Sequence, residues 1–290
     1  MIRGKDLEKQ VYESEHIQQV TAEITANFPD YFTFFAQEEL KSVFRERIKD
    51  YQKEQDAYRE YLNLQALEEY DQYDPNAFKS HTRKNCPIIR RCLMSQDEVM
   101  KDYKISFNNV TGRQLLNAVS NIARFGRSYQ VGFNDETHEA ATTPEDLSLE
   151  TLNQTEYGCG GVIGYGIQSS LLYGVFPRTF AHRSQNAVWA LYFLSGRKDF
   201  DLQDGSEFLM VHASTGTCEQ NYFYPAELFG FYALHVYRLL KAACKEEGIN
   251  FVNHYRYIYL SAFCDFIANR HREHINIFKR SSDYVESHWF

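Results

Sequence analysis

Ile163-Gly164-Tyr165-Gly166, followed by Ser170 and the apolar pair Leu171-Leu172, carries the clearest chemical signal in the chain. The pattern runs apolar, Gly, apolar, Gly, three free positions, a small residue, then apolar residues. Glycine at 164 and 166 permits positive φ and close approach of a bound group to the backbone. Amide N–H groups at the start of the following helix can then point at an anion such as a phosphate. Ser170 lacks bulk and lets two helices joined by the bend pack closely. The bland reading is a tight connection between helices that happens to need glycine.

Other reactive residue types form no comparable set. Gly158-Cys159-Gly160-Gly161 lacks the Lys-Ser/Thr of a phosphate-binding P-loop, and no His or acid is related to the Cys159 thiol. His271-x-x-His274 has one-face helical spacing but no acid or Cys partner, so no metal and no cofactor are expected. The six cysteines show no C-x-x-C spacing and are expected to be reduced thiols, mostly buried.

Downstream of the bend, Phe180 precedes Ser184, Asn186 and the apolar set Ala187, Val188, Leu191 and Leu194. Together the bend and this segment resemble the helix-hairpin-helix DNA glycosylases, whose hairpin is followed by an apolar-Pro-x-x-Asp-x-x-apolar segment that opens another helix. The resemblance covers residues 143–196. It implies a helical fold, double-stranded DNA as partner, extrusion of a nucleotide and hydrolysis of its N-glycosidic bond. Gly164 and Gly166 would hold a phosphate, Tyr165 would support the distorted duplex, and Gln168, His182 and Arg183 would lie at the DNA. The helix start from Ser184 to Asn186 would face the sugar.

Two departures shape the expected chemistry. Gln168 stands where bifunctional members carry their Schiff-base lysine, which points to a monofunctional enzyme. Ser184 stands at the family's catalytic aspartate, the carboxylate that stabilises positive charge on the deoxyribose. Ser184 is also a preferred N-cap for a helix starting at Gln185. Asp201, Asp204 and Glu207, the nearest acids beyond that helix, are the candidates to supply the missing carboxylate. These departures, with the aromatic excess, suggest a bulky modified base, as in phage or other foreign DNA, and a setting of antiviral defence. The alternative is a catalytically silent helical module that binds DNA or another protein.

Charge is distributed unevenly. The formal net charge of −8 and a pI near 5.7 oppose a polyanion overall. Lys79, Arg83, Lys84, Arg90 and Arg91 nevertheless form a cluster without an acid, and of these Lys84, Arg90 and Arg91 are the candidate phosphate contacts. Arg113, Arg124 and Arg127 follow, and a third group spans Arg270 to Arg280. The acidic excess sits in residues 36–75 and 135–156.

The elements that must position these residues read as helices. Residues 36–71 predict long amphipathic helices ending before Asp74-Pro75, and 74–92 an irregular basic connector. Thr111 with Gln114 predicts a capping box, with the helix stopping at Gly126. Residues 128–142 read as a surface loop. Thr143-Pro144-Glu145-Asp146 predicts a helix running to Tyr157, the first helix of the hairpin. The second helix spans Ile167 to Tyr173, and another runs from Gln185 to Ser195-Gly196. Phe208 to Val211 suits a short strand or buried turn, Pro225 opens a helix to Lys245, and a last long helix covers Arg256 to Asn269.

The expected class is all-α: a helical bundle with little β structure, divided into an N-terminal region (1–75) and a glycosylase-like domain (76–290). With 43% hydrophobic and 24% charged residues the chain is an ordinary globular one. No apolar run suits a membrane span and no signal-peptide core follows Met1, so a cytoplasmic protein is expected. Phe, Trp and Tyr make up 16% of the chain, and Phe223, Phe229, Phe231, Tyr232, Tyr257, Tyr259 and Phe263 are the expected core set.

Overall fold

A computed structural model describes residues 9–96, 100–202, 206–212, 217–220 and 224–282. The expected all-α class is what it shows, with one two-stranded hairpin added. Helix α1 spans Ser14–Phe35, α2 Leu40–Tyr61, α3 Leu64–Tyr73, α4 Ala77–Asn85, α5 Pro87–Met94, α6 Lys101–Asn109, α7 Gly112–Val131 and α8 Asp135–Glu139. Three short 3-10 turns then lead to α9 (Tyr165–Val175) and α10 (Gln185–Leu194). Strands β1 (Leu209–His212) and β2 (Thr217–Gln220) pair antiparallel, Leu209 opposite Gln220. Helices α11 (Ala226–Glu246), α12 (Arg256–Arg270) and α13 (Arg272–Ser282) complete the described chain. None of the described helices is long and apolar enough to cross a membrane.

Helix α10 is the centre of the fold. Every residue from Ala187 to Leu194 is buried, so this helix is apolar all round rather than on one face. It packs on α12 and α1, while α2 packs on both α9 and α12. Buried side chains from Val11 to Ile275 form a single cluster, so the residues before and after position 75 share one core. Phe229, Phe231, Tyr232, Tyr257, Tyr259 and Phe263 belong to it; Phe223 lies outside the described residues. Cys86, Cys92, Cys159, Cys244 and Cys264 are free, buried thiols.

The local signals that held were caps. Thr111 accepts from Gln114 N while the Gln114 side chain accepts from Thr111 N, and Ser184 accepts from Ala187 N at 3.1 Å. Replacing Thr111 with Ala should therefore cost about 1 kcal/mol in urea unfolding. An unchanged midpoint would mean that tertiary contacts alone hold the start of α7.

Four expectations are corrected. Residues 74–92 are two helices rather than an irregular connector, because Pro87 sits in the first turn of α5, where its missing N–H costs nothing. Helix α7 passes through Gly126 to Val131; a Cβ there would stand 2.7–2.8 Å from Phe176 and Leu172, so this glycine permits helix contact rather than ending the helix. Within 128–142 the chain makes α8 and buries His138. The helix expected from Pro144 to Tyr157 is replaced by the 3-10 turns Pro144–Leu147, Glu150–Asn153 and Thr155–Tyr157. Its start is as read, since Asp146 accepts from the amides of Thr142 and Thr143 at 2.7 and 2.9 Å. Ser148 then adopts φ 49°, which breaks the helical path while Leu147, Leu149 and Leu152 are drawn into the core. The bend therefore opens a helix but does not join two α-helices.

Candidate functional site

Cys159 and Ile163 face each other across a tight reversal in which Gly161 takes φ 69° against Ser106. Gly164 then N-caps α9 and, having no side chain, offers no capping acceptor to its first-turn amides. Gly164 and Gly166 are exposed, and a Cβ at 166 would meet only Arg183 O at 3.8 Å. This end of α9 is thus open to an external acceptor. Tyr165 is half-buried beneath the Arg183 guanidinium, 5.6 Å from the ring centroid, and Arg183 itself is buried between Tyr165 and Phe229. Both side chains therefore shape the support of the bend rather than its outer surface. Gln168 is buried and donates to Leu152 O at 3.0 Å, tying the 3-10 segment to α9.

The other end of α9 lines a cleft of about 420 Å³. Ser170, Tyr173 and Gly174 of α9 form one wall; Arg47, Asp50, Tyr51, Glu54 and Tyr58 of α2 form the other; Arg91 of α5 and His182 close it. Gly174 makes the wall possible, since a Cβ there would lie 2.5 Å from the Tyr58 ring. The volume and the three tyrosines suit a flat organic group. Its charges come in pairs: Arg47 with Asp265 at 2.5 Å, Lys53 with Asp50 at 2.6 Å, and Arg91 with Glu54. A polar, uncharged aromatic ligand fits such a lining better than a bare anion. A second cleft of about 500 Å³, lined by Gly158, Cys159 and Gly160 of the glycine reversal, has Gln114, Asn117, Asn121 and Arg124 in its wall but no aromatic ring.

His182 stacks on Tyr173 with centroids 4.8 Å apart and planes 12° from parallel, and its Nε2 lies 2.9 Å from Ser170 Oγ. Burial, with Arg47 and Arg91 nearby, pushes the imidazole down to about 3. A group so weakly basic is neutral near pH 7 and makes the Ser170–His182 pair unsuitable as a nucleophile and its base.

The proposed catalytic residues are only partly brought together. Ser184 is the N-cap of α10. Asn186 donates to Asp265 Oδ1 at 2.7 Å, and Asp265 is held from its other side by Arg47. Asp201 is exposed, with φ 61°, and its amide is bound by Asp199 Oδ1. Asp204 lies outside the described residues. Glu207 is fully buried, 2.5 Å from His16 Nε2, and accepts from the hydroxyls of Tyr224 and Tyr232. Neither Asp201 nor Glu207 is bonded to Asn186; Asp265 is.

Asp265 escaped the sequence reading because 79 positions separate it from Asn186. One signal was present: it is the only charged residue between Arg256 and Arg270 in an otherwise apolar helix. Among the basic candidates, Lys84 and Arg90 are exposed on α4 and α5, whereas Arg91 turns to Glu54 and Tyr58 at the cleft. Lys79 binds the carbonyls of Asn108 and Val110 at the end of α6, and Arg83 reaches Asn108 Oδ1.

Comparison with protein-family models, curated proteins and solved structures found no match.

Proposed function

We propose that the protein is a monofunctional DNA glycosylase that holds a strand at the glycine bend and receives an extruded base in the tyrosine-lined cleft. One observation carries this reading: the exposed bend and the cleft lie on opposite ends of the same helix, α9. From Tyr165 to Tyr173 the helix rises about 12 Å, so a phosphate at the bend and a base in the cleft would be a few nucleotides apart. The paired charges and stacked rings of the cleft favour a nucleobase over a free phosphate.

In the reaction, the bond from C1′ to the base nitrogen breaks, the base leaves with the electron pair and a proton, and water supplies the hydroxyl at C1′. Positive charge accumulates on the sugar. The Asp265 carboxylate, fixed by Asn186 and Arg47, is the group assigned to stabilise it. Gln168 supplies no amine for an imine with the sugar, so the product is an abasic site without strand cleavage.

The test is incubation with duplexes carrying assorted modified bases, followed by heating in alkali. Strand breaks that depend on alkali support the reading; binding without breaks across the panel favours a silent DNA-binding module, and absence of salt-sensitive binding removes DNA as partner. Replacing Gly166 with Val supplies a second test. A Cβ there meets only Arg183 O at 3.8 Å, so Gly166→Ala should fold without loss of melting temperature and Gly166→Val should lower duplex affinity about tenfold through lost approach to the backbone. Unaltered affinity would make the bend a purely structural turn.

A further inference from the structure

The second cleft, of about 500 Å³, is built on one face of α7. Gln114, Asn117, Asn121 and Arg124 line it at steps of three, four and three residues, which sets them in a row along the helix. From Gln114 to Arg124 the helix rises about 15 Å. Glu156 and the glycine reversal also line the cleft, and Asn121 Nδ2 donates to Glu156 O at 2.9 Å, tying this segment to α7.

The row has hydrogen-bonding capacity to spare. Thr111 N can only donate and binds Gln114 Oε1 at 2.8 Å, so the amide nitrogen is the free end of that side chain. Asn121 uses one amide hydrogen on the Glu156 carbonyl and keeps its oxygen as an acceptor. Asn117 is exposed, and neither end of its carboxamide is bonded among the described residues. Arg124 and Glu156 are exposed and make no ion pair among the described residues, whereas Asp71 is paired with Arg113 beside the start of α7.

Nucleobases are held by stacking on rings, and no ring lines this cleft. The carboxylates of Asp71 and Glu156 oppose a phosphate chain. Apart from Cys159, the only apolar side chain in the lining is that of Ala118, too small to anchor an apolar group. A peptide backbone matches the row better. An extended chain rises about 3.3 Å per residue and turns an N–H and a C=O to the same side at every second residue, about 6.6 Å apart. Asn117 and Asn121 are separated by about 6 Å along the helix axis, and a carboxamide carries both a donor and an acceptor for such a pair.

We infer that this cleft binds an extended peptide segment by its backbone, about four or five residues at 3.3 Å each over the 15 Å of the row. Arg124 and Glu156 take one acidic and one basic side chain at the Asn121–Arg124 end. A strand at the glycine bend is neither needed for this nor excluded by it.

Titration of the isotope-labelled full chain with acetyl-Gly-Gly-Lys-Asp-amide and with its reverse, acetyl-Asp-Lys-Gly-Gly-amide, tests both chain directions. At least one should shift the side-chain amide signals of Gln114 and Asn117 saturably. Replacing its glycines with sarcosine removes backbone N–H donors and should weaken binding about tenfold. Asn117→Ala, at an exposed helical position, should weaken binding about tenfold at an unchanged melting temperature, and the sarcosine penalty should shrink in that variant. No saturable shift with either peptide, full affinity of the sarcosine peptide, or full affinity of Asn117→Ala overturns the proposal. So does a tetrathymidylate that shifts the same signals more strongly than the peptides, which would make the cleft a nucleic-acid site.

Discussion

Replacing Asp265 with Asn should lower excision by about a hundredfold to a thousandfold while duplex affinity stays within a few-fold of wild type. The substitution preserves shape, and Asn186 can still donate to the side-chain oxygen it meets at 2.7 Å. It removes the negative charge that Arg47 and Asn186 hold in position, and with it the stabilisation of a cationic sugar. The effect should therefore appear in single-turnover rate and not in substrate affinity. Glu207→Gln is the informative control. Glu207 is enclosed by His16, Tyr224 and Tyr232, so its loss should lower the melting temperature, with activity following only through unfolding. Full activity in Asp265→Asn, or a rate collapse in well-folded Glu207→Gln, would move the chemistry to the Glu207 cluster.

Arg256→Met should destabilise the fold by about 3–5 kcal/mol, measured by chemical unfolding at neutral pH. Arg256 is fully buried at the start of α12 and donates to Asp135 and Glu139, each at 2.8 Å, and to Arg178 O. Methionine fills much of the volume but leaves the two partly buried carboxylates with Arg178 and Lys241 as their remaining ion-pair partners among the described residues. Arg178, opposed by burial and helped by Arg256, holds the Asp135 carboxyl well below the ordinary 3.8. Burial would raise Glu139, but Lys241 and Arg256 bring it below its ordinary value.

The pH dependence follows in sign. A carboxylate depressed in the folded state contributes stability above its unfolded pKa and loses it as pH falls through the folded value. The gap between wild type and Arg256→Met should thus be widest near neutrality and shrink below about pH 4. A gap independent of pH would mean that Arg256 acts by packing over Phe133 and Tyr237 alone. The network bears on the site because α12 carries Asp265 and the Arg178 carbonyl lies just before His182.

Local chemistry made much of the fold legible. The Thr111–Gln114 box, the Ser184 cap, and the helices after Pro225 and from Arg256 are short-range devices, and each acts within a turn or two of the residues that encode it. The glycines near 164 were read for a freedom they do not use: Gly164 caps α9 at φ −104° and Gly166 lies within that helix, while the positive φ falls at Gly161. The errors came where tertiary packing overrode local preference. Three leucines drawn into the core turned a well-started helix at Pro144 into 3-10 turns, and the need for contact with Leu172 and Phe176 made Gly126 a packing position instead of a stop.

By itself, then, the sequence determined where most helices begin and that a backbone stretch near Gly164 is free of bulk. Only the tertiary structure decided which side chains meet. Asn186 finds Asp265, Asp265 finds Arg47, and Ser170, His182 and Arg91 share a cleft with α2 although long stretches of chain separate them. Helix periodicity tells which face is buried but not which other helix covers it, and a catalytic carboxylate is defined by that second fact.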